Sequence, residues 1–273
     1  NIKKENLPLV LLNARITKKS YNEWKMIPST SKILFGSFDI CFCQNQETTK
    51  YLKSLGSKKI KFIGNLKYSE SKSEKNNNFN NNLKKMFKSK KIWCAASTHN
   101  TEEKISALAH KKLKKKYKNL LTIIIPRHIQ RTSDIINEIK NLGLNVQTRS
   151  TSNKLSKNTE VYIVDTYGET KSFYKICKTI FLGGSIINHG GQNPLEPARL
   201  SCKTLHGPYI HNFTEVYDFL RKNNLSSRFK NIDQLASLIN QSFIKKTNYN
   251  NKVKKLKKIG TNILYNTLTE INC

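Results

Sequence analysis

Between residues 7 and 15 the chain reads LPLVLLNAR, an apolar run without alternation, which is the pattern of a strand buried on both faces of a parallel sheet. DICFCQ at 39–44 predicts a second core strand. Helical spacing runs over 47–55 and stops at Gly56, and a short strand over 60–63 ends in Gly64-Asn65-Leu66-Lys67. Strand and helix alternate, so this region is α/β. Residues 69–82, SESKSEKNNNFNNN, are polar and low in complexity, and read as an interdomain linker or flexible loop. A second α/β region follows. Its predicted strands cover 92–96, 120–126, 146–148, 161–165, 179–182 and 204–205, and its helices 102–117, 132–142, 169–177, 194–201 and 214–223. Two further helices, near 232–243 and 252–268, close the chain. This order predicts a doubly wound parallel sheet, in which ligands bind beyond the carboxyl ends of the strands.

Residues 181–208, FLGGSIINHGGQNPLEPARLSCKTLHGP, concentrate the local signals. Gly183, Gly184, Gly190 and Gly191 flank a polar tip and let backbone amides come close to a ligand. Asn193 is placed as an N-cap, Pro194 as the first helical residue, and Glu196 as the closing member of a capping box. A helix start of this kind presents unpaired N–H groups to a phosphate. A strand, a loop and a well-capped helix with a purely structural role would carry the same residues.

The strand-end rule gathers more polar groups at the same edge. Ser97-Thr98-His99, Pro126-Arg127-His128, Asp165-Thr166-Tyr167-Gly168-Glu169 and Gly183-Gly184-Ser185 each follow a predicted strand, and together they form a crevice suited to a nucleotide. Arg127 either grips a phosphate through two parallel hydrogen bonds or pairs with a surface carboxylate. Glu169 either meets the ligand or complements a helix dipole, and Glu196 either accepts from ribose hydroxyls or caps its own helix. Pro126 reads first as a strand terminator. His99 and His128 are hydrogen-bonding candidates before they are catalysts.

At 273 residues, 37% of them hydrophobic, the chain accommodates one large or two medium globular domains. The formal net charge of +31 points to an anionic partner: nucleic acid, membrane headgroups or a phosphorylated substrate. The lysines are spread along the chain, with no block except 111–118, and nothing interleaves them with aromatics, which argues for a solvated surface and against nucleic acid. The six cysteines show no CxxC pairing and read as reduced core residues of a cytosolic protein. No HxxxH, HxH or DxD spacing points to a metal. No apolar stretch approaches the length of a membrane span. The chain opens on Asn1-Ile2-Lys3-Lys4, and the expectation is a fragment or processed product.

LLNARITKKS at 11–20, GNLKYS at 64–69, AASTHNTEE at 95–103, PRH at 126–128, DTYGE at 165–169 and GGSIINHGGQNPLEPA at 183–198 together resemble the Kdo transferases, which move 3-deoxy-D-manno-octulosonic acid from CMP-Kdo onto lipid A precursors. The motifs fall in the family's order over almost the whole chain. The resemblance implies a GT-B fold of two Rossmann-like domains facing across a cleft. Residues 1–68 would be the last part of the acceptor-side domain, 69–82 a linker, and 83–273 the complete CMP-Kdo-binding domain with its closing helices. The family's catalytic glutamate has no counterpart, so the chain is expected to lack its N-terminal part.

The resemblance further implies CMP contacts from Pro126, Arg127, Tyr167, Gly168, Glu169, Asn193, Pro194, Leu195 and Glu196. Ser97, His99, Gly183, Gly184 and Ser185 are possible additions, and Lys67 is the stabiliser of negative charge as the bond to phosphate breaks. It implies inversion, no metal and no cofactor, a lipid A precursor as acceptor, and peripheral contact with the anionic cytoplasmic face of the inner membrane. The family usually carries His where Gln192 stands, Met where Tyr167 stands, and Asp or a similar residue where Ser69 stands. An inactive donor-binding fragment and a basic nucleic-acid-binding protein are the alternatives.

Overall fold

The computed structural model describes residues 5, 7–69, 79–151, 154–245 and 249–271. The chain divides into two compact units, residues 1–72 with 255–273, and residues 73–254.

The first unit contains β1 (Val10–Ala14), α1 (Lys18–Lys25), α2 (Pro28–Phe35), β2 (Ile40–Cys43), α3 (Gln46–Ser54) and β3 (Ile60–Phe62). Its sheet is three parallel strands in the order β1-β2-β3. Phe35, Cys41, Cys43, Leu52 and Leu55 are buried at its centre. Two-faced burial, expected over 7–15, holds only at Ala14, because β1 is a sheet edge: Leu7 is 58% and Leu12 47% exposed. The helices over 18–35 were not foreseen. α1 is strongly polar and is started by the Thr17 hydroxyl accepting from Ser20 N, a side-chain cap that needs no apolar stripe.

The second unit contains α4 (Asn81–Lys88), β4 (Lys91–Thr98), α5 (Glu102–Lys114), β5 (Leu120–Pro126), α6 (Thr132–Asn141), β6 (Val146–Thr148), β7 (Val161–Ile163), α7 (Thr170–Ile176), β8 (Thr179–Leu182), α8 (Leu195–Arg199), β9 (Lys203–His206), α9 (Thr214–Lys222), β10 (Ser226–Arg228) and α10 (Ile232–Ile244). Its seven strands are all parallel, in the order β10-β9-β8-β4-β5-β7-β6. Alternate residues of β4 supply the two cores. Ile92, Cys94 and Ala96 pack with Phe79, Phe87 and Phe173, while Trp93 and Ala95 pack with Leu113, Ile135 and Ile239. From β4 the chain builds outward through β5, β6 and β7, then returns to build the other way from β8, so the topological switch point lies between β4 and β8.

The domain limits differ from the expectation at both ends. Residues 70–78 of the expected linker lie outside the described residues, but its last residues are structured: Phe79 is buried against Phe173, and Asn80 caps α4 by accepting from Leu83 N. The last helix, α11 (Asn250–Ile271), was expected with the second domain, yet from residue 255 it belongs to the first unit. Close packing explains this. A Cβ on Gly260 would sit 1.9 Å from the Tyr68 carbonyl oxygen, Ile263 fills the space above Gly64, and Glu270 pairs with Lys61. Cys41, Cys43, Cys94, Cys177 and Cys202 are free and buried as expected; Cys273 lies outside the described residues. Among the described residues no helix is long and apolar enough to cross a membrane.

The fold also gathers charge that the sequence scatters. In the second unit the connections entering strands (85–91, 111–119, 138–145, 154–160, 175–179, 199–203 and 221–225) carry nineteen lysines and arginines against Glu138 and Glu160. The connections leaving strands (98–105, 126–134, 148–151, 164–172, 183–196, 206–217 and 228–235) carry seven bases and eight acids. A parallel α/β fold places helix C-termini at the entering edge, where cations complement the dipole. The even spread read from the sequence is therefore a basic edge in space.

His110 and His206 lie inside this unit, and burial lowers each to about 4. The Glu160 carboxylate, 4.0 Å from His110 Nε2, pulls in the opposite direction and does not prevail. Since the unfolded histidine takes its proton near 6.5, their stabilising share is complete above that pH and is lost as pH falls toward 4, at roughly 1.4 kcal/mol per pH unit for each. Thermal unfolding should therefore show a melting temperature that drops between pH 6.5 and 5, above the carboxylate range. His110→Asn and His206→Asn should each flatten that drop, and an unchanged slope would contradict the assignment.

Candidate functional site

Four of the loops singled out in the sequence lie on the carboxyl edge of the seven-stranded sheet. Arg127 leaves β5 with its backbone N donating to Thr98 O at 2.9 Å, which ties this loop to the end of β4. Its side chain is exposed, and no partner for the guanidinium is found among the described residues. His99 lies close by, with ring centroids 5.8 Å from His128 and 4.5 Å from His189. Burial lowers His99 to about 4, and the neighbouring His189, His128, Arg127 and Arg131 push it the same way. His99 is therefore neutral at physiological pH, with Nε2 buried and unpartnered.

At the switch point the structure departs from expectation. Gly183 and Gly184 were read as opening backbone amides to a ligand, yet both are taken: Gly183 N donates to Ala96 O at 2.9 Å and Gly184 N to Glu102. Its Oε2 accepts from His99 N at 2.9 Å and Gly184 N at 2.7 Å, and its Oε1 accepts from Ser185 N at 3.1 Å and Ile186 N at 2.9 Å. Burial pushes the Glu102 carboxyl up, against four N–H groups that favour the charged form. Gly183 is required by packing instead: a Cβ there would lie 2.3 Å from Ser97 O and 2.6 Å from Glu102 Oε2. Ser185 is also enclosed, donating to Leu182 O and accepting from Gly207 N. Ser97, at φ 53°, contributes the bend that brings its carbonyl to this point.

Gly184 is buried on its other side by side chains. A Cβ on it would come within 3.1 Å of His189 Cδ2 and 3.4 Å of both Gln192 Nε2 and His99 Nε2, so these three side chains frame its Cα. Gly191 N donates to Gly184 O at 2.8 Å, folding the loop back, and Gln192 O accepts from Tyr217 Oη at 3.1 Å.

The helix after this loop is short. α8 starts at Leu195, with Pro194 at its N-cap, and Asn193 Oδ1 accepts from Leu195 N at 3.1 Å. Asn193 therefore caps from one position earlier than expected. Leu195 is fully buried and its N–H is taken by Asn193. Glu196 is partly exposed, 3.7 Å from Lys171 Nζ. Pro126 is buried at the end of β5.

The 165–169 loop exposes Tyr167, at 73%, beside Gly168 at φ +80°. Glu169, by contrast, is engaged. Arg149 Nε and Nη2 each donate to it at 3.0 Å, and the Thr166 hydroxyl donates as well. Nothing in the sequence marks Arg149, which stands alone after a three-residue strand. Glu102 stood inside AASTHNTEE without a role, since a helix-start glutamate ordinarily signals only the dipole.

Lys67 belongs to the first unit. Its loop is held by two asparagines: Asn13 Oδ1 accepts from Leu66 N at 3.0 Å, and Asn65 Oδ1 from Lys67 N at 2.9 Å. Asn13 has φ 52° and Gly64 φ 104°, so LLNA and GNLK form one local structure. The Lys67 side chain is exposed. Among the described residues no group of three or more His, Cys, Asp or Glu is arranged to hold a metal.

Two parallel-sheet α/β units, with polar loops at the carboxyl edge of the larger, define a GT-B-like fold. The trehalose-6-phosphate synthase OtsA shows that fold at a TM-score of 0.50, with 11% identity, covering 97% of this chain and 65% of that one. The family model for 3-deoxy-D-manno-octulosonic-acid transferase (kdotransferase) matches residues 1–70. The 3-deoxy-D-manno-octulosonic acid transferase of Haemophilus influenzae is 32% identical over 218 residues, 79% of this chain and 51% of that protein. Its counterpart from Aquifex aeolicus is 28% identical over 240 residues, 88% of this chain and 64% of that protein. The C-terminal CMP-Kdo binding domain of WaaA from Acinetobacter baumannii superposes with a TM-score of 0.57 and 25% identity, covering 67% of this chain and 93% of that domain. The chain is a relative of the Kdo transferases, and it spans about half the length of the Haemophilus enzyme.

Removing the Glu102 carboxylate leaves four buried N–H groups without an acceptor, which should cost roughly 3 kcal/mol or more. Glu102→Ala should therefore lower the urea midpoint sharply, and Glu102→Gln, which keeps one acceptor oxygen, should lower it less. Equal and small effects would contradict this account.

Proposed function

We propose that the chain carries the donor side of a Kdo transferase: the second unit binds CMP-Kdo, and the sugar passes with inversion, without a metal, to a hydroxyl of a lipid A precursor. The observation that carries the reading is Arg127, an exposed guanidinium with no partner among the described residues, beside His99, on the ligand edge of a chain related to Kdo transferases. A planar guanidinium in that state suits the single phosphate of CMP. In the transfer, the bond from the anomeric carbon to the phosphate oxygen breaks and its electron pair stays on CMP. The acceptor oxygen bonds to the opposite face of the carbon, and its proton leaves to a base. Arg127 holds the phosphate, and Glu196 accepts from the ribose hydroxyls. The glutamate that serves as the family's catalytic carboxylate has no counterpart in this sequence, so the isolated chain should bind donor without turning it over.

Binding tests divide these roles. Arg127→Ala should weaken CMP by about tenfold or more, the scale of one charged hydrogen bond, and leave cytidine nearly unaffected. Glu196→Gln should weaken both ligands more than it lowers the melting temperature. Loss of cytidine together with CMP in Arg127→Ala would point to collapse of the site, and no CMP binding by the folded wild type would remove the reading.

The same reading places the protein at the cytoplasmic face of the inner membrane, held by charge at about 1 kcal/mol per basic residue near the surface. Co-sedimentation with anionic vesicles should be strong at low salt and lost at high salt; equal binding to neutral vesicles would contradict it. The basic edge favours a second reading, binding of a polyanion such as nucleic acid. Gel shifts at two salt concentrations judge it, since that reading requires tight binding at low salt that falls steeply as salt rises.

A further inference from the structure

The loop over 165–169 is fastened at both ends by the two residues that follow β6, and its middle is not supported. Ser150 N donates to Asp165 Oδ1 at 2.9 Å, and the Ser150 hydroxyl donates to the other oxygen of the same carboxylate. Arg149 N donates to Ile163 O at 2.8 Å, which fixes the start of its side chain at the sheet edge. Its guanidinium then reaches both oxygens of Glu169, with Nε 3.0 Å from Oε2 and Nη2 3.0 Å from Oε1. The pair is largely enclosed, at 17% and 12% side-chain exposure. Between the two fastenings Tyr167 is 73% exposed, and a Cβ on Gly168, in the left-handed region, would meet nothing within 4 Å. Packing therefore does not set the path of Tyr167 and Gly168; the two clasps do.

We propose that Arg149 is a positioning residue for the nucleotide loop, acting through Glu169, and that Glu169 holds the loop in place and does not itself touch the nucleotide. The role rests on the donor-binding reading above, whereas the clasp rests on geometry alone. A bidentate fork constrains a carboxylate in angle as well as distance, which a single ammonium contact does not. Losing it lets the loop sample conformations that do not bind, and apparent affinity falls by the fraction of time the binding conformation is occupied.

The test measures CMP binding by calorimetry and amide hydrogen exchange on the full chain. Arg149→Ala should speed exchange of amides 166–169 by about tenfold and weaken CMP by a similar factor if the competent loop is then populated about one tenth of the time. Exchange in β5 should stay unchanged. Arg149→Lys, which keeps the charge and most of the stem, should give an intermediate loss at a melting temperature near wild type, and it serves if Arg149→Ala does not fold. Glu169→Gln should weaken CMP in the wild-type background and add nothing in the Arg149→Ala background. A further loss there would show that Glu169 meets the nucleotide directly and would overturn the proposal, as would unchanged CMP affinity in a folded Arg149→Ala. If the wild type fails to bind CMP while Arg149→Ala still loosens the loop, the failure lies with the donor reading; the positioning role then falls and the clasp remains.

Discussion

The carboxylate of Glu102, set at the junction of β4 and β8 and surrounded by four backbone N–H groups, fixes the ligand edge of the second unit. In an open α/β sheet the switch point is where neighbouring connections diverge and leave a crevice. Here the divergent loops are drawn together, because both turn their amides toward one buried anion. Gly183 has no room for a side chain beside that anion, and Gly184 adopts φ +64° to direct its N–H inward. His99, Gln192 and His189 are consequences of this arrangement: each is placed by a loop whose backbone is already committed to Glu102. An internal carboxylate thus takes the place that a ligand phosphate takes in other nucleotide-binding sheets.

The motifs and the regular elements were largely legible in the sequence. The strands over 120–126 and 179–182 end where the apolar runs end, because buried parallel strands tolerate few polar residues and the boundary is chemical. β1 was misread for a related reason: an apolar run does not reveal whether its neighbour strand is present. α1 escaped because it is mostly polar and is started by a side-chain cap at Thr17, and α4 because it follows directly on a polar, low-complexity run, although Leu83, Met86 and Phe87 give it an apolar face at helical spacing. The last helix was placed with the wrong unit because its anchors, Gly64 and Tyr68, lie almost two hundred residues earlier and local pattern carries no information about such contacts.

The loops at the carboxyl edge were legible in the sequence, and the partners of their side chains were not. Arg127 and Tyr167 are exposed at the expected edge, and Lys67 is exposed in the first unit. Glu169 is engaged by Arg149 and Leu195 is buried in the core. A motif records that a residue is needed without distinguishing contact from support. Only partner geometry separates the two, and both Glu102 and Arg149 have partners that are remote in sequence or unmarked by it.

Charge completes the account of the site. A chain of +31 could be expected to present a strongly positive ligand edge, yet this edge carries nearly equal numbers of bases and acids while the opposite edge is basic. Of the arginines that follow β5 and β6, Arg131 is bound to Glu103 and Arg149 to Glu169, and His99 is held neutral by burial. Arg127 differs from the other two in having no carboxylate partner among the described residues. On the proposed donor-binding reading, recognition of an anion here rests on the Arg127 guanidinium at a fixed strand end. Long-range attraction contributes little at this edge, because its opposite charges nearly balance and salt screens what remains beyond about 8 Å at physiological ionic strength. A site of that kind selects by geometry, and its affinity rises or falls with the loops that hold the rest of the ligand in register with Arg127.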